Sequence, residues 1–392
     1  MKLLMPIWII VQLVIGYNLV MPLLLYVIYL LKKKKRMIPA VSSGEADFAV
    51  IVTAYEQTTL LPEVVQSILN LNYSNYMVYI VADKCDVSGL HFSSNKVVVL
   101  RPAETLASNT RSHFYAIRHF KRAHERLTII DSDNLVHPEY LNQLNKQFDA
   151  GYQAVQGIRA AKNLNTTYAC LDAARDIYYH FYDGKILFDA GSSATLAGSG
   201  MAFTTELYRK CLGHLDITGA GFDKVLQYQI VSKGLRIAFS EQAVVYDEKT
   251  TNTDQLVKQR ARWINTWFRY FKYGFTLAGN GLAGFSLNQF LFGLILLRPP
   301  LFIFLFLSVF FMGLDFWAAP AMAASWLAGI LLFITSFMIA LRQSDTDQRI
   351  YNSLPNIPKF MFYQVLSLLK TRKANKYSVA TQHFYKKDTA GM

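Results

Sequence analysis

The sequence predicts an α/β domain with a doubly wound sheet, combined with transmembrane and interfacial helices. Long apolar runs lie at the start of the chain and in its last third. Between them, short β-branched runs alternate with segments of helical spacing, which is typical of parallel sheets with helices on both faces. Charged residues make up only 17% of the 392 residues, whereas globular proteins contain about 25%. Part of the chain is therefore expected to lie in lipid.

The charge and the cysteines narrow the class of protein. The net charge of +13 favours anionic partners such as lipid headgroups, nucleic acid or phosphorylated substrates. Cys85, Cys170 and Cys211 are isolated in the sequence, without a CxxC pair. This spacing argues against a zinc site and against a disulfide framework, and it fits a reducing compartment.

Residues 1–31 predict a transmembrane helix. The run from Leu3 to Leu31 is almost entirely apolar and is long enough to cross about 30 Å of hydrocarbon. A signal peptide is the alternative, but the run is too long and no small-residue cleavage site follows it. By the positive-inside rule, the basic run Lys32–Arg36 places the N-terminus outside and the following domain in the cytosol.

Residues 256–297 predict interfacial helices, and residues 298–341 predict two transmembrane helices. An arginine is costly in the middle of a bilayer. We therefore interpret Leu287–Leu297 as interfacial and Arg298 as the entry to a span that ends near Leu314.

The second of these spans is predicted over Ala321–Leu341, with Asp315–Trp317 as the turn outside the membrane. Residues 342–392 return to the cytosol as a tail, in which Pro358–Leu369 mixes apolar and basic residues and predicts a surface helix. The prediction is a multi-pass protein of the plasma or inner membrane, with the α/β domain and the C-terminus in the cytosol.

Residues 37–255 predict the α/β domain. Leu61–Leu69 has helical spacing, and a short strand is expected at Ala243–Tyr246. Apolar β-branched runs predict four more strands: Phe48–Thr53, Met77–Ala82, Lys96–Leu100 and Leu127–Ile130. Ligands of such sheets bind beyond the carboxyl ends of the strands, so the residues that follow each strand are the candidates for a site.

Acidic residues follow two of these strands. Asp83 follows the second strand, where capping of a helix is the competing explanation. Asp131 and Asp133 follow the fourth strand and are separated by one serine. Two carboxylates this close repel each other unless a cation lies between them. Because Mg²⁺ and Mn²⁺ share such ligands with substrate phosphates, the pattern predicts a divalent metal site.

The stretch Lys258–Trp263 (KQRARW) precedes the aromatic and apolar part of the chain. One interpretation is a basic patch at a membrane surface. The other is a site for a doubly negative phosphate group, since arginine binds phosphate through two hydrogen bonds.

The order of these residues resembles that in membrane-bound family 2 glycosyltransferases, which have the GT-A fold, a Rossmann-like domain that binds nucleotide sugars. Hyaluronan, chitin and cellulose synthases, poly-N-acetylglucosamine synthase-like enzymes and ceramide glucosyltransferase are of this type. The resemblance covers about residues 45–300. It rests on these features, in the family's order: Asp83, Asp131-Ser-Asp133, Gly198-Ser-Gly200-Met201, Asp223 and the QxxRW motif Gln259-Arg-Ala-Arg262-Trp263.

The resemblance implies a binding site for a UDP-sugar donor. Tyr55, with Thr53 beside it, would lie by the uracil ring, and Asp83 would bind the edge of that ring. Asp133 would hold Mg²⁺ or Mn²⁺ on the diphosphate. Asp131 would face the ribose or the metal.

The QxxRW motif implies an interfacial helix beside this pocket. Gln259 would belong to the donor site, and Arg262 would hydrogen-bond the diphosphate. Arg260 would either assist Arg262 or face lipid headgroups. Trp263 would offer the face of its ring to an acceptor sugar.

The resemblance also implies an acceptor site. Gly200 and Met201 belong to the acceptor-side glycine-rich segment. Asp223 is the expected general base, with helix capping as the alternative. The family often has a glutamate directly before this aspartate, where the chain has Phe222. The turns after the first two strands also depart from the family pattern, which leaves the nucleotide preference open.

Two weaker similarities concern the end of the domain and the tail. Asp247–Lys249 belongs either to the site or to an exposed turn. Lys376–His383 resembles a segment that closes over the nucleotide in some synthases, and a solvated tail is the alternative. His137 and His180 have no evident partner and are interpreted as structural.

These expectations combine into an inverting, metal-dependent glycosyltransferase. It would transfer a sugar from a UDP-sugar to a hydroxyl of a growing polysaccharide, forming β-linkages in exopolysaccharide synthesis. The alternative is transfer of a single sugar to a lipid or lipid-linked acceptor. Expected partners are the donor, a carbohydrate or glycolipid acceptor, membrane lipids and possible subunits for export.

A third possibility is a non-catalytic protein that binds anionic lipid or nucleic acid. The basic residues lie at membrane edges rather than along one soluble face, as a nucleic-acid groove would need. Nucleic acid is therefore not expected as a partner.

Overall fold

The computed structural model describes residues 4–32 and 44–369. The strands in these residues are β1 (Phe48–Tyr55), β2 (Tyr76–Asp83), β3 (Val97–Leu100), β4 (Arg126–Asp131), β5 (Leu135–Val136), β6 (Ala154–Ala161), β7 (Met201–Thr204) and β8 (Ile237–Asp247). The helices are α1 (Leu4–Lys32), α2 (Leu61–Leu69), α3 (Asn109–Arg118), α4 (Tyr140–Asp149), α5 (Thr167–Tyr179), α6 (Leu187–Asp189), α7 (Thr205–Leu212), α8 (Phe222–Ser232), α9 (Thr253–Tyr270), α10 (Tyr273–Ala283), α11 (Leu287–Leu297), α12 (Leu301–Ala318), α13 (Pro320–Gln343), α14 (Gln348–Ser353) and α15 (Ile357–Leu369). A π-helical segment, His180–Ile186, joins α5 to α6.

The four predicted strands form one half of the sheet, as β1 to β4. The strand order is β3-β2-β1-β4-β7-β6-β8-β5, and β1 pairs in parallel with both β2 and β4. The first five residues of β1 are buried, as expected of a central strand with both faces covered. The predicted helix over Leu61–Leu69 is confirmed as α2.

The other half of the sheet is mixed rather than parallel. β7 runs antiparallel to both of its neighbours, β4 and β6, whereas β6 and β8 are parallel. The sequence did not predict β6 or β7. In β6, a β-carbon on Gly157 would lie 2.2 Å from the backbone oxygen of Ala243, so only glycine fits at this position. This glycine interrupts the apolar β-branched pattern by which a strand is predicted from sequence. β7 has only four residues. The strand expected at Ala243–Tyr246 is the end of the longer β8.

Within the described residues, α1, α12 and α13 are long and apolar enough to cross a membrane. A buried polar contact joins these three helices. Trp326 Nε1 donates to Gln12 Oε1 over 2.9 Å and to Asp315 Oδ2 over 3.2 Å. Gln12 Nε2 donates to Asp315 Oδ1 over 3.3 Å.

The turn expected at Asp315–Trp317 is wrong. α12 continues to Ala318, and Ala319 makes the turn into α13. Asp315 is only 2% exposed, because its carboxylate accepts hydrogen bonds inside the three-helix bundle. An aspartate near the end of an apolar run had suggested a turn, but here it belongs to the helix.

The region between the α/β domain and the last two long helices is helical throughout. α9 begins at Thr253, so the domain boundary expected after residue 255 lies inside a helix. α11 has the predicted bounds Leu287–Leu297. Its position at a membrane surface stays a prediction.

Two of the sequence expectations lie partly or wholly outside the described residues. These are the basic run after Lys32 and the tail segment Lys376–His383. The surface helix predicted at Pro358–Leu369 corresponds to α15, and its Phe360 is buried against Leu171 and Leu256. One side of α15 therefore packs on the protein.

Candidate active site

A cavity of about 1150 Å³ opens at the carboxyl ends of β1, β2 and β4. Its wall continues along the start of α8 and along α9, and it ends at the start of α12. The following predicted site residues lie on this wall: Thr53, Tyr55, Asp83, Asp131, Asp133, Asp223, Gln259, Arg262 and Trp263. The fold thus brings distant parts of the sequence into one cavity.

Asp83 is buried on the cavity wall at the end of β2 and does not cap a helix. Its Oδ1 accepts a hydrogen bond from the N–H of Leu106 over 2.9 Å, and its Oδ2 accepts one from the N–H of Ala107 over 2.7 Å. The carboxylate therefore holds the segment that leads into α3, in which Ala107 has a φ of +45°. Asp83 therefore shapes this part of the cavity wall as well as lining it.

Asp131 and Asp133 lie at the end of β4 and just beyond it. The N–H of Asp131 donates to Ser199 Oγ over 3.1 Å. Asn134 Nδ2 lies 3.4 Å from Asp133 Oδ1 and 3.1 Å from Asp247 Oδ1. These contacts fix the backbone that carries both carboxylates.

The charges of the cavity fit a divalent cation. The described lining residues include eight carboxylates and six lysines or arginines, and a nucleotide diphosphate would add negative charge. Within the described residues, no three His, Cys, Asp or Glu side chains are grouped so that they could hold a metal. Asp131 and Asp133 are the pair of carboxylates on this wall that could hold such an ion, with phosphate oxygens and water as its other ligands, as is common for Mg²⁺.

Asp223 lies in the first turn of α8. The helix is capped by Gly221, which has a φ of +104° and offers no side chain, so Asp223 is not the cap residue. Lys224 Nζ lies 3.2 Å from Asp223 Oδ2 and also donates to the carbonyl of Leu196 over 3.2 Å. The carboxylate of Asp223 thus faces the cavity beside a fixed ammonium group.

The arginines of KQRARW have different surroundings. Arg260 also lines the cavity, but it is only 2% exposed and pairs with Asp172, so it does not face lipid headgroups. Arg262 lines the cavity, and burial lowers the pKa of its guanidinium. Gln259 Oε1 accepts a hydrogen bond from Thr250 Oγ1 over 2.9 Å, which fixes the start of the motif.

Two guanidinium groups lie over the Trp263 ring. The Cζ atom of Arg260 is 4.1 Å from the ring centroid, and that of Arg175 is 4.3 Å from it. Cations over an aromatic face are attracted by its quadrupole. Trp263 is still 40% exposed, but these arginines occupy part of the ring surface expected for a sugar.

A buried ionic network, which sequence reasoning missed, forms part of the cavity wall. Asp172 accepts from Arg175 over 3.0 Å and also pairs with Arg260. Lys249 Nζ lies 2.6 Å from Asp176 and 3.1 Å from Asp247. A signal was present in the sequence, because Asp172, Asp176, His180 and Asp183 recur at helical spacing in a segment rich in apolar and aromatic residues.

Asp247 belongs to this network. Burial acts to raise its pKa, but Arg159 and Lys249 outweigh burial and hold the pKa below its usual range. Arg159 Nη2 lies 2.8 Å from Asp247 Oδ2. Residues 247–249 are all less than 10% exposed, so the exposed turn considered for this segment is wrong.

Gly200 and Met201 do not lie on the cavity wall. Met201 is fully buried in β7. Gly200 has a φ of +67°, and a β-carbon there would lie 2.9 Å from Val245 Cγ2. Of this glycine-rich segment, Gly198 reaches the cavity. We therefore leave Gly200 and Met201 out of the acceptor site proposed below.

The far end of the cavity reaches the long apolar helices. Arg298, Pro299, Pro300, Leu301 and Phe302 line it there. Arg298 is buried and pairs with Asp183 in the π-helical segment. This pairing is the reason that an arginine can stand at the entry to α12.

Comparison with known proteins identifies the family. Residues 46–266, more than half of the chain, match the model of the family described as glycosyltransferase like family 2. The chain belongs to this family of glycosyltransferases.

The fold of this glycosyltransferase is similar to that of the mannosyltransferase PcManGT from Pyrobaculum calidifontis, solved in complex with GDP-Man and Mn²⁺. The two are 17% identical over 92% of this chain and 97% of that chain, with a TM-score of 0.55. TarS from S. aureus matches at 14% identity over 58% of this chain and 49% of that chain, but its TM-score of 0.38 is too low to support a conclusion. No curated protein sequence gives a significant match.

Together these findings show the GT-A, Rossmann-like mixed sheet with helices. They also make the protein a glycosyltransferase that uses a nucleotide sugar. The predicted fold class is thus confirmed.

Proposed function

We propose that the glycosyltransferase transfers a sugar from a UDP-sugar to a hydroxyl of a membrane-borne acceptor, with inversion at the anomeric carbon and with Mg²⁺ or Mn²⁺. The observation that carries this proposal is the continuous cavity. Its wall includes Asp131 and Asp133, Asp223 and Arg262, and the first residues of α12.

The residues divide the chemistry between them. Thr53, Tyr55 and Asp83 form the donor end, with Gln259 nearby on α9. Arg262 binds the diphosphate and stabilises its growing negative charge as it leaves. A divalent ion held by Asp131 and Asp133 would neutralise charge on the same phosphates.

Asp223 acts as the general base. It takes the proton from the acceptor hydroxyl while the hydroxyl oxygen bonds to the anomeric carbon and the bond from that carbon to the diphosphate breaks. Attack from the side opposite the leaving group inverts the carbon, so an α-linked donor gives a β-linkage. Trp263 borders the space where the acceptor would lie.

The interior of the helix bundle favours an acceptor that arrives from the membrane over a polymer threaded through the chain. Gln12, Phe311, Asp315 and Trp326 fill the space between α1, α12 and α13, and each is less than 10% exposed. The rings of Phe311 and Trp326 stack with centroids 5.8 Å apart. A polysaccharide synthase built on this chain would need export through further copies or partner subunits.

Nucleotide release by the detergent-purified protein tests the reaction. The assay uses Mn²⁺ or Mg²⁺, a panel of UDP- and GDP-sugars, and either lipid-linked or oligosaccharide acceptors. We expect Asp223→Asn to lower kcat by about 10²- to 10⁴-fold while nucleotide binding is kept. We expect Asp133→Ala to remove metal-dependent nucleotide binding.

Glu206→Gln, an exposed change on α7, is the control. A wild-type rate in Asp223→Asn would contradict the base assignment, and absence of nucleotide binding would contradict the reaction. Product length then separates a single transfer from polymer formation.

A further inference from the structure

The loop that leads to the proposed base is fastened to the donor side of the cavity. This base loop (residues 213–221) ends at Gly221, directly before α8. Ser108 Oγ donates to the carbonyl of Ile217 over 2.6 Å, and Thr110 Oγ1 donates to the same carbonyl over 3.0 Å. Both hydroxyls are buried.

An ion pair reinforces the same connection. Arg111 Nε lies 2.8 Å from Asp216 Oδ1, and Arg111 Nη2 lies 2.6 Å from Asp216 Oδ2, so the pair is bidentate. Arg111 Nη1 also donates to the carbonyl of Leu106 over 3.3 Å. Arg111 thus links the base loop to the segment that Asp83 holds.

The other side of the base loop packs on the QxxRW helix. A β-carbon on Gly221 would lie 2.5 Å from the ring of Tyr270 and 2.7 Å from Thr266. Arg269 Nη1 donates to the carbonyl of Thr218 over 3.4 Å. The loop is therefore held between the donor side and α9.

We propose that Arg111 and Asp216, with Ser108 and Thr110, are positioning residues that set the place of Asp223 from the donor side of the cavity. This proposal rests on the assignment of Asp223 as the base. The connection runs from Asp83 through the backbone of Leu106 and Ala107 to α3, and from α3 to the base loop. A nucleotide that orders the donor side would thereby also order the base.

The ion pair is the best place to test this, because both side chains are substantially exposed and their removal leaves the core intact. In Arg111→Ala and in Asp216→Ala, we expect kcat to fall about two- to fivefold, the range that one exposed ion pair supports. Ser108→Ala combined with Thr110→Val removes buried hydrogen bonds and should lower kcat about tenfold. The Kd of the nucleotide should change less than twofold in each variant.

Arg118→Ala, at the exposed end of the same helix, is the matched control and should behave as the wild type. The swapped pair Arg111→Asp with Asp216→Arg should recover part of the lost rate. In an Asp223→Asn background, Arg111→Ala should have no further effect on the residual rate, which a merely structural role would not predict.

The outcomes separate the two proposals. An unchanged kcat in both single variants would overturn the positioning role, even if Asp223→Asn is inactive. An equal loss in the Asp223→Asn background, or a weakened nucleotide Kd that accounts for the whole effect, would also overturn it. An active Asp223→Asn variant would instead contradict the base assignment.

Discussion

At the residue scale, neighbouring positions of one motif have different roles. Arg260 and Arg262 are two positions apart on α9 and both line the cavity, yet Arg260 is almost fully buried and pairs with Asp172, whereas Arg262 is only partly buried. Asp172 also accepts from Arg175 and from the N–H of Thr250. This buried carboxylate therefore pairs with two buried guanidinium groups, of which that of Arg175 also pairs with Asp176.

Asp172→Asn is expected to destabilise the protein by about 3–5 kcal/mol, because Arg260 would remain buried without its countercharge, whereas Arg175 would keep Asp176. Asparagine has nearly the same volume as aspartate, so the substitution changes the charge and leaves the packing unchanged. Thermal unfolding in detergent measures the effect, with the exposed Glu206→Gln as the control. An unfolding temperature equal to that of the wild type would show that the network does not depend on this charge.

The sequence predicts which acidic residues belong to the site, but it does not predict which groups their side chains contact. Asp83, Asp131 and Asp133 were found because they follow apolar strands, and the fold brings all three to the cavity. The bonds from Asp83 to Leu106 and Ala107 were not foreseeable, since they depend on how a loop folds back. For the same reason, Met201 was assigned to a site from which β7 removes it.

At the element scale, two glycines allow the backbones of α10 and α11 to approach each other closely. A β-carbon on Gly281 would lie 2.3 Å from the backbone nitrogen of Phe290, and one on Gly293 would lie 2.5 Å from the backbone nitrogen of Ala278. Backbone atoms cannot move aside as a flexible side chain can. The two helices must therefore separate if either glycine is replaced.

Gly281→Ala should destabilise the protein, whereas Gly279→Ala should not. A β-carbon on Gly279 meets nothing within 4 Å. Alanine there should stabilise the helix by about 0.5–1 kcal/mol. Comparison of the two unfolding temperatures checks this, and equal shifts in both variants would contradict the close packing of α10 on α11.

The elements that were predicted correctly have strong local patterns. β1 to β4 are apolar and β-branched, and α2 has a clear apolar face. β6 and β7 escaped prediction because one contains Gly157 and the other is very short. Both strands are stabilised by pairing with strands that are distant in the sequence, and the local pattern of apolar residues does not reveal such pairing.

At the scale of the whole molecule, the apolar helices are joined to the α/β domain at several points, and the start of α12 lines the cavity. α1 reaches the domain directly, since Lys32 Nζ donates to the carbonyl of Ala190 over 2.7 Å. Arg298 and Asp183 join the start of α12 to the domain. The orientation that follows from the positive-inside rule stays a prediction.

Cysteine labelling tests that orientation. The native residues Cys85, Cys170 and Cys211 are free and buried, so they give little background. In intact cells, a membrane-impermeant maleimide should label Trp317→Cys, near the turn between α12 and α13. It should label Lys121→Cys, on the α/β domain, only after permeabilisation. The reverse pattern would overturn the predicted topology.

The sequence by itself determined β1 to β4, α2, the long apolar helices and the carboxylates that follow the strands. These depend on local composition and spacing, which folding does not alter. The tertiary structure alone decided which charges pair, where the base loop is fastened and how far the cavity extends toward α12. These are contacts between residues far apart in the chain, and their free energy depends on burial and distance, which no single segment of sequence specifies.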